Sequence, residues 1–102
     1  MIIILKPTFS KNLKQIIEYI AQDKPSASMK FKNELKENIN LIPSNPIMYK
    51  KSIYFNDKNI RDMIFKGYTI IYRIRPLQKE IEILRMFNKN KLLLGNRYNK
   101  TY

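Results

Sequence analysis

The chain has 102 residues, 44% of them hydrophobic, which suits one domain with a modest core and is too apolar for a disordered chain. It contains no cysteine and no histidine, which excludes disulfides, cysteine nucleophiles, the commonest metal sites and the usual neutral-pH acid–base group. Its net charge of +12 indicates an anionic partner: nucleic acid, a ribosome or an acidic protein.

The first apolar stretch, residues 1–5, predicts a β-strand that Pro7 closes. The stretch is far shorter than the roughly 20 residues that cross a bilayer. It also lacks the basic start and the small-residue cleavage site of a signal peptide. We therefore expect a cytoplasmic protein with no membrane partner, no metal and no cofactor.

Two amphipathic helices are predicted next. Ser10 is the expected N-cap of the first helix. Pro25 is expected to open the second helix, with Asp23 as its cap, and Pro43 and Pro46 are expected to end it. Apolar residues recur at helical spacing in both, at Leu13, Ile16, Ile17, Ile20 and Ala21, and then at Ala27, Phe31, Leu35, Ile39 and Ile42. The short link between the helices predicts a helical hairpin, whose apolar stripes need a common surface to cover.

Residues 59–87 predict that surface, as three consecutive antiparallel strands with turns at residues 66–67 and 75–80. Strict alternation in the middle strand places four side chains on one face, at Tyr68, Ile70, Tyr72 and Ile74. In the last strand alternation places Arg85 on the same face as Ile83. Residues 49–55 predict a short extra strand or extended segment.

The predicted fold is therefore α+β, with the order β-α-α-β-β-β. An N-terminal strand and a helical hairpin pack on an antiparallel sheet. We expect one domain over residues 1–102, of which residues 89–102 are a basic tail.

The positive charge has two interpretations. The chain holds 15 Lys, 11 Asn and 17 Ile, residues that A/T-rich codons favour, so one interpretation of the lysine excess is genomic composition and the other is a functional surface. The codon argument does not apply to the arginines. All five lie in the second half of the chain, at Arg61, Arg73, Arg75, Arg85 and Arg97. Any functional charge is therefore expected on the sheet and the tail.

The order of elements, together with several short motifs, resembles the RelE/ParE superfamily of toxins from bacterial toxin–antitoxin modules. The motifs are residues 17–21 (IEYIA), 24–27 (KPSA), 42–43 (IP), 59–63 (NIRDM), 67–74 (GYTIIYRI) and 81–87 (IEILRMF). The resemblance covers nearly the whole chain and implies the fold given above.

Two departures from the family pattern distinguish its branches. Phe87 and Asn88 stand where ParE-like toxins have a histidine after the last strand. The closely spaced lysines and the arginine of the mRNA-cleaving RelE-like toxins are replaced by Arg61, Asp62, Met63, Ile64 and Thr69. Lys89 or Lys91 could stand for the basic residue after the last strand. This pattern favours the ParE-like branch, which the resemblance implies is made of DNA gyrase poisons.

The sequence offers candidates for two kinds of site. RNA cleavage without histidine or metal would use basic side chains to activate a 2′-hydroxyl and stabilise the phosphate, and the candidates are Arg61, Lys66, Arg73, Arg85 and Lys89. Candidates for target or antitoxin binding are Arg61, Tyr68, Arg73, Arg85, Lys89 and Lys91. Each also has a structural interpretation: solvated strand and turn residues in general, core packing for Tyr68, and a salt bridge to Glu82 or Asp62 for Arg85.

The resemblance implies the toxin of a type II toxin–antitoxin module. A ParE-like toxin would bind a cellular target, with DNA gyrase expected first, and an acidic antitoxin would neutralise it in a hetero-oligomer. The alternative on the same fold is a ribosome-dependent mRNA endonuclease. A third interpretation, from charge alone, is a small nucleic-acid-binding module without toxicity.

Overall fold

Two helices lie on one face of a five-stranded sheet in the computed structural model, which describes residues 1–88. The elements are β1 (Ile2–Leu5), α1 (Pro7–Asp23), α2 (Pro25–Leu41), a 3₁₀ turn (Ile42–Ser44), β2 (Lys50–Lys51), β3 (Ile60–Phe65), β4 (Tyr68–Arg75) and β5 (Glu80–Asn88). Neither helix in this part of the chain is long and apolar enough to cross a bilayer. The predicted α+β fold and the helical hairpin are confirmed.

The strands lie in the order β1-β5-β4-β3-β2. The three strands β3, β4 and β5 form the predicted antiparallel meander, and β2 adds a two-residue antiparallel edge. β1 pairs with β5 in parallel, with Ile3 opposite Ile81, so the sheet is mixed rather than wholly antiparallel. This parallel pair lies at one edge of the sheet. The helical hairpin separates β1 from the meander along the chain, and parallel strands need such a long connection.

The main core lies between the helices and the sheet. The predicted alternation of β4 is confirmed, since Ile70, Tyr72 and Ile74 are buried on the helix side. Phe31 of α2 and Phe9 of α1 meet them from the helices. The opposite side of the sheet, which we call the open face, has a smaller apolar cluster of Ile60, Ile71 and Phe87 with Leu84 packed against it.

The start of α1 and both predicted N-caps differ from the structure, whereas the predicted start of α2 at Pro25 is confirmed. α1 begins at Pro7 and α2 at Pro25, and within residues 1–88 neither start carries a side-chain cap, so the expected caps Ser10 and Asp23 were wrong. Proline at the first helical position has its φ already set and lacks the N–H that a cap would satisfy. The earlier start brings Phe9 into α1, where it is fully buried.

A β-bulge in β5 changes which side chains face the helices. Ile71 is opposite Arg85 and Tyr72 is opposite Ile83, so Leu84 is an extra residue between them. Met86 therefore joins the main core. Arg85 lies on the open face with Ile71, and its predicted position on the face of Ile83 was wrong, because simple alternation cannot anticipate an inserted residue.

Candidate functional site

Arg61 holds the connection between β2 and β3. It lies on the helix side of β3, opposite Tyr72 of β4. Its guanidinium donates hydrogen bonds to the carbonyl oxygen of Tyr49 at 3.0 Å and to that of Lys58 at 3.1 Å. Tyr49 directly precedes β2, and Lys58 lies within the β2–β3 connection. The donors of Arg61 therefore fix a loop instead of facing a shared cleft.

Lys66 joins the β3–β4 turn to α2. The turn has positive φ at Lys66 (49°) and Gly67 (84°), the conformation of a two-residue hairpin. The ammonium of Lys66 forms an ion pair with Glu34 of α2, and it lies 5.6 Å from the centre of the Phe65 ring. The hydrogen bond from Lys66 lowers the pKa of Glu34. In this arrangement Lys66 is engaged by a neighbouring carboxylate.

Arg73 belongs to a charge cluster centred on Glu82, on the open face. Glu82 is only 3% exposed, and its carboxylate accepts a hydrogen bond from Arg73 Nε at 2.7 Å. Arg75 Nη1 lies 3.6 Å and Lys6 Nζ 3.7 Å from the second carboxylate oxygen. Burial acts to raise the pKa of Glu82, but Arg73, then Arg75 and Lys6, outweigh it and lower that pKa. A buried carboxylate is stable here because three cations surround it.

Arg85 is the nuclease candidate that, within residues 1–88, has neither an ion pair nor a side-chain hydrogen bond. It forms no hydrogen bond or ion pair with any side chain of residues 1–88, so the salt bridge to Glu82 or Asp62 is absent there. Glu82 is already surrounded by other cations, and Asp62 accepts a hydrogen bond from the Ile53 backbone N–H. Arg85 therefore presents a half-buried positive charge on the open face.

The two tyrosines of β4 are packed on the helix side. The Tyr68 ring meets Phe31 edge to face, with centroids 5.5 Å apart, and burial raises the pKa of its hydroxyl. Tyr72 is fully buried, and its hydroxyl donates to the carbonyl of Pro46 at 2.6 Å. Burial raises the pKa of Tyr72 to about 12. Neither ring is placed for stacking on the open face.

The structure does not bring the predicted nuclease candidates together. Arg61 lies on the helix side and Lys66 in the β3–β4 turn, whereas Arg73 and Arg85 lie on the open face; Lys89 and Lys91 are outside the described residues. Cleavage of RNA needs a base and a phosphate-stabilising group converging on one phosphate. Within residues 1–88 no cluster of acidic side chains could hold a metal ion either.

An apolar groove lies on the helix side of the sheet, between β1 and the two helices. It has a volume of about 390 Å³ and is lined by apolar side chains that include Leu5, Leu13, Leu35 and Ile39. Lys32 and Lys36, on successive turns of α2, stand at its border and are exposed. Such a groove, apolar inside and cationic at one side, suits an amphipathic segment with acidic residues.

The sequence matches the family model described as the ParE toxin of the type II toxin–antitoxin system parDE, over residues 3–91. The chain belongs to the ParE toxin family. The resemblance to the ParE-like branch is thereby confirmed, and the chain is a type II toxin by family. Among curated proteins, none matches this sequence.

Solved structures agree with the ParE assignment at the level of the fold. A chain of the chromosomal ParDE TA system from P. aeruginosa superposes with a TM-score of 0.68 at 16% sequence identity. The alignment covers 86% of this chain and 95% of that chain. The ParE fold is thus retained although few residues are shared.

Sequence reasoning missed two features of this ParE-family chain. The sequence analysis names Glu82 only as a possible partner of Arg85, although a glutamate between Ile81 and Ile83 on an apolar strand signals that cations must lie nearby. The groove gave no such signal, because it is formed by residues from three separate elements.

Proposed function

We propose that this ParE-family toxin acts in the cytoplasm by binding a protein target, with DNA gyrase the first to test, and that it does not cut RNA. The observation that carries the proposal is the engagement of three of the four candidate cations within residues 1–88, Arg85 being the exception. Arg73 forms an ion pair with Glu82, and Lys66 forms one with Glu34. Arg61 donates hydrogen bonds to two backbone carbonyls. A cation already paired with a carboxylate is poorly placed to stabilise a phosphate in a transition state.

The proposal includes an acidic antitoxin bound in the groove between β1 and the hairpin. The antitoxin's apolar side chains would cover Leu5 and Leu13, and its carboxylates would meet Lys32 and Lys36. The net charge of +12 favours rapid association with an acidic segment. A segment that orders on binding would form the toxin–antitoxin hetero-oligomer.

The mode of action is tested by inducible expression in a bacterium. We expect growth arrest, inhibited DNA supercoiling and intact mRNA, because the toxin would sequester its target rather than cleave nucleic acid. Primer extension on transcripts from arrested cells reports cleavage directly. Cuts at fixed codon positions that disappear in Arg85→Ala or Lys89→Ala would instead establish the ribosome-dependent endonuclease, for which the unpaired charge of Arg85 is the favouring feature.

The antitoxin site is tested by reversing charge at the groove. In the double variant Lys32→Glu/Lys36→Glu, affinity for the antitoxin encoded beside the toxin should fall about tenfold or more, because two favourable charge contacts become repulsive. Titration calorimetry measures the affinity, and growth arrest by the variant should remain while rescue by the antitoxin weakens.

The matched control is Lys11→Glu/Lys14→Glu, which makes the same change of net charge on an exposed part of α1 away from the groove lining. Its antitoxin affinity should change much less than that of the groove variant. Equal losses in the two variants would mean that net charge alone, and not the groove, attracts the antitoxin.

A further inference from the structure

Several large apolar side chains stand exposed around β2, in the connections that precede and follow it. We call this set, made up of Ile47, Met48, Ile53, Tyr54 and Phe55, the loop surface. Ile53 is 83% exposed and Ile47 66%, and the other three are exposed by 39% to 43%. Ile53, Tyr54 and Phe55 are consecutive, and exposed apolar side chains grouped in this way mark an interaction site, whereas single exposed apolar residues are common on any protein surface.

The exposure of the loop surface is not the result of a loosely held loop. Hydrogen bonds tie the segment to the sheet, and side chains of three strand residues supply several of them. The bonds run from Tyr72 Oη to the Pro46 carbonyl (2.6 Å), from Arg61 Nη1 to the Tyr49 carbonyl (3.0 Å), from the Ile53 N–H to Asp62 Oδ2 (3.1 Å) and from the Ser52 N–H to the Ile60 carbonyl (2.8 Å). A surface fixed before binding loses little conformational entropy when a partner docks.

The charges beside the loop surface indicate the kind of partner. Lys50, Lys51 and Lys58 are exposed, and none forms an ion pair with an acidic group of residues 1–88. Two carboxylates, Asp57 and Asp62, lie in the same region and each accepts a hydrogen bond from a backbone N–H. A partner therefore meets apolar side chains beside a mainly positive border, which complements an acidic protein surface.

A protein fits this surface better than nucleic acid or a membrane does. Binding of single-stranded nucleic acid relies on aromatic rings that stack on bases, whereas the most exposed residues here are the aliphatic Ile53 and Ile47. The carboxylates of Asp57 and Asp62 would repel a phosphate-rich surface of either kind. An acidic protein with an apolar depression can place its charges opposite the lysines and a donor opposite the exposed carboxylate of Asp57.

The loop surface is also remote from the groove. The groove borders β1, at one edge of the sheet, while the loop surface adjoins β2 at the other edge, with β5, β4 and β3 between them. A segment confined to the groove would leave Ile53 and Phe55, beside the opposite edge strand, uncovered. The two surfaces are therefore suited to two different partners.

We propose that the loop surface docks the acidic protein that the toxin inhibits, and that the antitoxin binds elsewhere. This inference rests on the proposed function, namely a toxin that acts by binding a protein. Ile53 and Phe55 would enter an apolar depression of the target, and Lys50 and Lys51 would face its carboxylates. Arg61 acts as a positioning residue, because it fixes the loop without reaching the partner.

The test compares the double variant Ile53→Ser/Phe55→Ser with Leu77→Ser. Leu77 is 93% exposed in the β4–β5 turn, so its replacement removes an exposed apolar side chain outside the loop surface. We expect the double variant to need about tenfold more expressed protein for growth arrest, as for loss of an interface hot spot. Leu77→Ser should match the wild type. Calorimetry with the antitoxin should give the same affinity for all three proteins.

Each outcome bears on one proposal. If the wild type itself does not arrest growth, the proposed function fails and this inference fails with it. If the wild type arrests growth and the double variant is equally toxic, the inference alone is overturned. Equal losses of antitoxin affinity and toxicity would assign the loop surface to the antitoxin and also overturn it.

Two further measurements keep the test decisive. Urea unfolding verifies that the double variant is folded; if it is not, Ile53→Ser alone replaces it, because that side chain has little contact to lose. Binding of the wild type to vesicles of phosphatidylglycerol or to single-stranded RNA, lost in the double variant while toxicity is retained, would show a non-protein partner and overturn the inference.

Discussion

Replacing Phe9 with alanine is expected to lower the free energy of unfolding by about 3–5 kcal/mol, the range for large-to-small changes at buried aromatic positions. Phe9 is fully buried in the main core, whereas Leu13, Ile16 and Ile20 of α1 are only partly buried. The variant would thus lose the deepest contact between α1 and the rest of the core. Urea denaturation should show a lower midpoint with little change in slope.

Two further variants separate packing from the mere loss of an apolar side chain. Met29→Ala removes a side chain that is 58% exposed on α2 and should change stability by less than about 0.5 kcal/mol. Phe9→Leu should fall between Met29→Ala and Phe9→Ala, because leucine fills part of the space. A loss below about 1 kcal/mol in Phe9→Ala would mean that the hairpin does not depend on this contact.

Local sequence patterns predict most of this fold, and the exceptions have physical reasons. The stripes of α1 and α2 and the alternation of β4 are local periodicities, and the structure reproduces them. The start of α1 was not predicted correctly. Both an N-cap at Ser10 and a proline at the first helical position favour a helix start, and the helix begins at Pro7. The bulge at Leu84 was unpredictable for another reason: register depends on the partner strand, which alternation within β5 does not contain.

The candidate site was harder to predict than the fold, because its decisive property is which charges meet. Basic residues on the sheet could be named from the sequence, but their engagement could not. Lys66 meets Glu34 across the gap between a turn and a helix, and Arg61 reaches a backbone carbonyl twelve residues away. Such pairs arise from tertiary packing, so a pattern of cations in the sequence cannot separate a phosphate-binding site from a set of structural contacts.

Removing the charge of Glu82 is the second substitution for which we expect a large loss of stability. Glu82→Gln should destabilise the protein by about 2–3 kcal/mol, because a charge-assisted hydrogen bond and two further ionic contacts are lost. The loss stays below that for a wholly buried ion pair, since the side chains of Arg73, Arg75 and Lys6 are 42%, 37% and 44% exposed and retain contact with water. Thermal or urea unfolding at neutral pH measures the effect.

Glu80→Gln is the matched control. Glu80 also lies beside Arg75, at 3.7 Å, but its side chain is 25% exposed where that of Glu82 is 4% exposed. An ion pair with this much access to solvent contributes about 1 kcal/mol or less. Equal losses from the two substitutions would therefore contradict a special role for the buried carboxylate.

The pH dependence of the Glu82→Gln effect provides an independent check. The pKa of Glu82 is lowered in the folded protein from its ordinary value of 4.5, so its ionised form stabilises the fold fully above that value. This stabilisation is lost as the pH falls through the lowered pKa, because the folded protein must then take up the proton. The difference in stability between wild type and Glu82→Gln should be constant above about pH 5 and shrink under more acidic conditions. A difference that persists unchanged into strong acid would show that the amide disturbs packing and that the charge of Glu82 contributes nothing.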